Sequence, residues 1–212
     1  MNIIWILMIK ITISGGTGGF GLWGLISNAR NLNEAFEKHG IKRIKNVFYG
    51  WGGAGWGIID NLFIGGGGFE ASGSTGREDL SVEFSYGGGF FDLGYSILNT
   101  NLFLIFPSLG IGGYDFDIKF IPKSSDIPFD SLIENPGRIS EVNISGILCN
   151  SSINVFIFLK KFTGLILRFG YFYLPSSSWK LDGGYRILSH PDFTPSGFYF
   201  TINFVFGGFN KK

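Results

Sequence analysis

The 212-residue sequence predicts an all-β fold, an up-and-down antiparallel transmembrane β-barrel of about eight strands with one short helix in its first long loop. Three observations carry this expectation. The chain holds 34 Gly and 24 Phe but only 16% charged residues, where a water-soluble domain carries roughly a quarter. Strand-like runs separated by turn signals follow one another along nearly the whole chain. The connections between those runs alternate between short and long.

Composition also excludes alternatives. Each Gly costs a helix interior about 1 kcal/mol, which argues against a helical bundle. The 17 basic and 16 acidic side chains leave a charge of +1, and no basic patch marks a nucleic-acid partner. No uninterrupted apolar run reaches the ~18 residues of a membrane-spanning helix. The single cysteine, Cys149, forms no internal disulfide and belongs to no metal-ligand cluster.

The first 15 residues are set apart as an N-terminal apolar segment. Residues 3–9 (IIWILMI) resemble the apolar core of an export signal, but Lys10 follows and no small-residue cleavage site appears. A truncated signal, a misplaced start and an extra first strand all fit. Residues 16–209 are expected to form one barrel domain, with 210–212 as a tail.

Eight runs are expected at about 16–26, 47–59, 62–72, 82–98, 102–120, 142–159, 163–174 and 197–209. Asp60-Asn61, Asn99-Thr100-Asn101 and Lys160-Lys161-Phe162 are of hairpin-turn length, and the Asn and Asp of the first two tolerate positive φ. The other connections are expected to be long: 27–46 with a helix at 32–39 (LNEAFEKH) closed by His39 and Gly40, 73–81 (GSTGREDLS), the Pro- and Asp-containing stretch after Phe120, and 175–196. In an up-and-down barrel this alternation sorts short turns to one end and long loops to the other. Lys and Glu fall mainly in the loops, and Asp92 and Arg168 are the charges expected in the strand cores.

Side-chain alternation agrees. Phe198, Phe200, Ile202, Phe204 and Phe206 share one face of the last run, opposite Tyr199, Thr201, Asn203, Val205 and Gly207. That is large and apolar outward, small and polar inward, at period two. Two runs change phase: large apolar side chains switch parity across 87–89 in the fourth and across Gly112-Gly113 in the fifth. One inserted residue flips every later side chain, so bulges are expected at these glycines. Gly52-Gly53 and 65–68 are expected to let a narrow barrel bend and to leave room for interior aromatics. Neither 15–19 nor 65–68 matches a phosphate-cradling glycine motif.

On its glycine-rich strands, amphipathic Phe-rich last strand and sorted loops, the chain resembles small bacterial outer-membrane β-barrels of the eight-stranded, OmpA/OmpX-like kind over roughly 16–209. Such proteins often end on an aromatic residue, whereas here Asn210-Lys211-Lys212 follows Phe209. The resemblance implies the outer membrane of a diderm bacterium and a lipid bilayer as solvent. It also implies a monomer, with lipopolysaccharide or another surface partner contacted through the long loops.

Asp92 and Arg168 point inward by parity, and a buried charge needs a partner. With Asn154 and Asn203 they are the candidates for an interior polar network; the alternative is that each reaches water at a barrel end. Trp51, Trp56, Trp23, Tyr171 and Tyr173 are candidates for interfacial aromatic girdles. His190-Pro191-Asp192 is the one loop histidine beside a carboxylate. Because some barrels of this kind are lipid-modifying hydrolases, Ser189 or the serines at 176–178 would be its partners. No nucleophile motif supports that, and a solvated loop histidine is the simpler reading. The expectation is therefore a non-enzymatic outer-membrane barrel without an open channel, catalytic residue, cofactor or metal, structural or surface-contacting through its loops. Its alternatives are a membrane-embedded lipid hydrolase and a secreted soluble barrel holding an apolar ligand.

Overall fold

A computed structural model describes residues 12–123, 139–160, 162–175, 177–182 and 184–211. Most of the N-terminal apolar segment, the stretch 124–138 and Ser176 lie outside the described residues. The strands are β1 (Ile13–Ser27), β2 (Val47–Ile59), β3 (Leu62–Arg77), β4 (Leu80–Tyr95), β5 (Leu98–Asn99), β6 (Phe103–Pro122), β7 (Ser140–Lys160), β8 (Thr163–Tyr173), β9 (Ser178–Leu181) and β10 (Gly197–Lys211). Helix α1 (Arg30–Lys38) lies between β1 and β2. Eight strands form the ring: β1 to β4, β6 to β8 and β10 pair antiparallel in order, and β10 closes on β1. The two-residue β5 and four-residue β9 are appended to β6 and β7.

The ladder defines the stagger. A row from Ile157 of β7 passes through Leu165, Phe204, Phe20, Gly53, Gly68, Gly89 and Gly113. It returns to β7 at Ile147, ten residues before its start. A stagger of ten on eight strands tilts them by about 40° and leaves a bore that side chains can fill.

At the lower end, Asp60 (φ 46°) and Asn61 (φ 73°) make the two-residue turn between β2 and β3, the geometry that matches strand twist. Asn61 exchanges two hydrogen bonds with Ile13, its side chain accepting from the Ile13 N–H at 2.9 Å and its own N–H donating to the Ile13 carbonyl at 3.0 Å. The turn is thereby fastened to β1, which begins three residues before the expected 16. β10 likewise continues past Phe209 to Lys211, opposite Ile13.

Outward side chains of β10 are apolar and exposed, as a lipid-facing wall requires: Phe198 is 51% exposed, Phe200 38%, Phe204 39% and Phe206 50%, while Tyr199, Thr201, Asn203 and Val205 are buried within. Trp51, Tyr171 and Tyr173 also face outward, but Trp23 and Trp56 do not. The parity that turns Trp51 out of β2 turns Trp56 in, and both Trp23 and Trp56 are buried in the bore.

The expected bulges are absent. Pairing of β4 with β3 and β6 runs unbroken through 87–89, and pairing of β6 with β4 and β7 runs unbroken through Gly112-Gly113. Even-numbered residues of both strands face inward from end to end. What changes at the glycines is the solvent outside. Below them the outward residues are Phe91, Leu93, Leu109 and Ile111; above them they are Glu83, Ser85, Asp115, Asp117 and Lys119. Among the described residues the only register shift falls in β7–β8, between Phe158 and Lys160.

Strand length explains this. A tilted transmembrane strand needs about 9–11 residues; β8 has 11, whereas β6 has 20 and β7 has 21. The β3–β4–β6–β7 side therefore rises beyond the lipid belt as a projecting sheet. The 73–81 connection, expected to be long, is consumed by this rise, since β3 and β4 are joined by only Glu78 and Asp79. The lower connection between β4 and β6, expected as three residues, spans 96–102 and contains β5. Loop lengths do not alternate strictly.

A labelling experiment separates a change of solvent from a bulge. In a Cys149→Ser background, Ser85→Cys and Asp117→Cys should react with a membrane-impermeant maleimide, whereas Leu93→Cys and Leu109→Cys should not. Phe204→Arg should cost about 2–4 kcal/mol in a bilayer and Ser85→Arg under about 1 kcal/mol, measured by urea unfolding in vesicles.

Candidate functional site

The bore is filled in three layers. Ile13, Trp56, Ile58, Phe63, Phe106 and Phe156 pack the lower end. Phe209 is turned inward against Phe156 and Phe158 at ring distances of 5.0 and 5.4 Å, so it does not offer a terminal aromatic to lipid. Above the middle, Trp23, Phe69, Phe172 and Tyr199 stack, with Tyr199 on Phe172 at 4.1 Å and Trp23 on Phe69 at 5.2 Å.

Between these apolar layers lies a polar one. Arg168 on β8 and Asp92 on β4 are fully buried and form an ion pair through Nη2 and Oδ2. Arg168 Nε donates to Asn154 Oδ1 at 2.6 Å and Nη2 also to Ser108 Oγ at 3.2 Å. The second oxygen of Asp92 accepts from Asn150 Nδ2 at 2.7 Å, and Asn150 Oδ1 accepts from the Tyr199 hydroxyl at 2.6 Å. Asn154 Nδ2 donates to the Phe106 carbonyl and to Ser108 and Ser152, whose hydroxyls lie 2.8 Å apart. The guanidinium carbon sits 5.2 Å from the ring centres of both Trp56 and Phe90, a placement the ring quadrupoles favour.

Of the four residues singled out from parity, Asp92, Arg168 and Asn154 are therefore in one network. Asn203 is not bonded to it: its Nδ2 donates to Thr201 Oγ1 at 2.7 Å, its neighbour two residues along β10. Ser108, Asn150, Ser152 and Tyr199 were missed. Their inward parity was legible, but a serine or tyrosine at an inward position does not say which charge it will reach across the bore.

The opposite wall makes room for these groups. Inward positions of β1, β2 and β3 at this level are Gly19, Gly21, Gly52, Ala54, Gly65 and Gly67. A Cβ on Gly52 would collide with the Trp23 indole nitrogen, and one on Gly65 would come within 2.8 Å of the Trp56 ring.

The outer end carries a second ordered assembly, a head. The projecting sheet has a polar outer face, where Asn143 donates to Asp117 at 2.8 Å and Lys119 pairs with Glu141 at 3.3 Å. Its inner face, Val82, Tyr86, Phe116, Ile118, Val142 and Ile144, is apolar and continuous with the upper core. Helix α1 covers it with Leu32 and Phe36, joined by Ile41, Ile44, Trp179 and Phe193. Asn33, also on the inner face of α1, accepts from the Ile44 N–H at 2.8 Å and donates to its carbonyl at 3.1 Å. Asn31 donates to the Asp192 carbonyl at 2.8 Å, and the Tyr86 hydroxyl to that of Pro195 at 3.2 Å, tying the 174–196 connection down. Arg43 forks onto Glu37 and Arg77 onto Asp79, and each arginine holds its partner carboxyl below the usual carboxylate range.

His190 belongs to the head as a packing group. Its ring stacks on Trp179 at 4.6 Å and its Nδ1 lies 3.0 Å from the Pro191 carbonyl. Among the described residues no serine hydroxyl is bonded to it.

No protein-family model matches the sequence, and no curated protein matches it. Solved structures do resemble the fold. Ail, the attachment invasion locus protein of Yersinia pestis, superposes with a TM-score of 0.53 at 7% identity, over 92% of this chain and 98% of Ail. OprG of Pseudomonas aeruginosa gives 0.52 at 8% identity, over 92% and 95% of the two chains. A major outer membrane protein of Thermus thermophilus gives 0.50 at 8% identity, over 92% and 99%. OprG and the Thermus protein are outer-membrane proteins, and this chain shares the barrel fold of all three.

Breaking the buried pair from one side should cost about 3–5 kcal/mol, so Arg168→Leu should lower thermal stability far more than Lys180→Leu, which should stay within about 0.5 kcal/mol. The double variant Arg168→Leu/Asp92→Leu should recover part of the loss because no lone charge remains buried. Heat-modifiable gel mobility measures all three.

Proposed function

We propose that the chain is a non-enzymatic, monomeric outer-membrane barrel that acts at the cell surface through its outer head and not through its bore. The filled polar layer carries this reading: at mid-depth an ion pair, two asparagines, two serines and flanking aromatic rings occupy the space a solute would need. The head supports it from the other side. It has a core of its own and a rim bearing Lys42, Arg43, Arg77 and Lys123, which suits an anionic surface partner such as lipopolysaccharide. One protein of this fold, Ail, is named for attachment and invasion and has been solved with the heparin analogue sucrose octasulfate. The lipid-hydrolase alternative finds little support, since His190 is spent on Trp179 and a backbone carbonyl.

Reconstituted into planar bilayers, the chain should show no steady conductance. In intact cells, trypsin should cut at Lys180 or Arg186 of the head while the strands stay protected. Steady conductance, or a native protein recovered in the soluble fraction, would refute this assignment; loss of a lipid-modifying activity on His190→Ala would replace it with the hydrolase.

A further inference from the structure

Helix α1 does not seal completely against the projecting sheet. A crevice of about 390 Å³ remains between them, walled by Leu32, Phe36, Ile41, Leu80, Phe120 and Trp179. Arg77 stands at its edge and also lines a hollow of about 800 Å³ shared with Lys42, Arg43 and Lys123. The head thus sets an apolar slot beside a basic basin, with one arginine common to both.

We propose that this slot binds a free single-chain anionic amphiphile, an acyl chain ending in a carboxylate. The chain lies along Leu32, Phe36, Leu80 and Phe120, and the carboxylate faces the basic basin. Charge complementarity selects the head group. Arg43 and Arg77 are engaged by Glu37 and Asp79, Lys123 Nζ donates to the Arg77 carbonyl at 3.1 Å, and Glu78 also lines the hollow, so the ammonium of Lys42 is the cation that meets the ligand, with Lys123 adding charge beside it, an arrangement suited to a small monoanion. Position selects a free molecule over a bilayer lipid. The floor residues Ile118, Phe120 and Val142 sit on strands whose outward side chains at that level are Glu83, Lys119 and Glu141, above the lipid belt. The volume lies near the lower end of small-molecule sites, which run from about 300 to 1,000 Å³, and fits one chain better than the paired chains of a phospholipid. This inference is independent of whether the bore conducts.

The test uses the full chain held in an amphipathic polymer free of detergent, and a diazirine-bearing long-chain fatty acid as the probe. Photolabelling should fall on peptides carrying 32–41 and Trp179, and unlabelled fatty acid should displace it. The chain-matched alcohol should compete about tenfold less well, and Lys42→Glu/Lys123→Glu should weaken binding about tenfold. Leu80→Trp, which fills the slot, should abolish labelling while keeping the heat-modifiable mobility of the folded barrel. The proposal is overturned if labelling is confined to belt residues such as Leu109 and Ile153, or if acid and alcohol compete equally. It is equally overturned if folded Leu80→Trp labels like the parent, or if the parent is not labelled at all.

Discussion

Hydrocarbon offers no partner to a backbone amide, and the rest of this structure follows from that constraint. A sheet in a bilayer must close on itself so that every N–H and C=O finds a neighbouring strand. Here the closure is the pairing of β10 with β1, from Ile13 opposite Lys211 to Ser27 opposite Gly197. Eight strands at a stagger of ten make that ring narrow. A narrow ring in turn dictates what the inward positions can hold.

The interior is solved by division of labour between two walls. β1, β2 and β3 contribute glycine and alanine at mid-depth, while β4, β6, β7, β8 and β10 contribute the bulk and the polarity. Trp23 and Trp56 reach into the space opened by the glycines. The cost of burying Arg168 is offset by Asp92, Asn154 and Ser108 and by the two flanking rings. Such a layer is sensitive to the loss of any one member, because each polar atom there has been removed from water.

Outside the belt the same sheet meets a different solvent, and its chemistry inverts without a change of register. β4, β6 and β7 carry lipid-facing aliphatics over part of their length, then Glu83, Asp117, Lys119 and Glu141 on the same face. Their inward apolar residues then need cover that the barrel wall no longer supplies. Helix α1 and the 174–196 connection supply it, and a folded head results.

The sequence by itself determined the number of strands in the ring, the faces of β8 and β10, the turn at Asp60-Asn61, the helix in the first loop and the inward direction of Asp92 and Arg168. These follow from period-two alternation and local turn chemistry, which act over a few residues. It misjudged 87–89 and Gly112-Gly113, because a one-residue bulge and a change of solvent outside an unbroken strand produce the same switch in hydrophobic parity. It placed Trp23 and Trp56 in a girdle by residue type, although parity counted from the neighbouring strands sends them inward. Only the tertiary structure decided which inward groups meet. The contacts of Arg168 with Asp92, and of Asn150 with Tyr199, cross the bore between residues 76 and 49 positions apart in the chain, and their partners are set by barrel stagger, a property of the closed ring and not of any one strand.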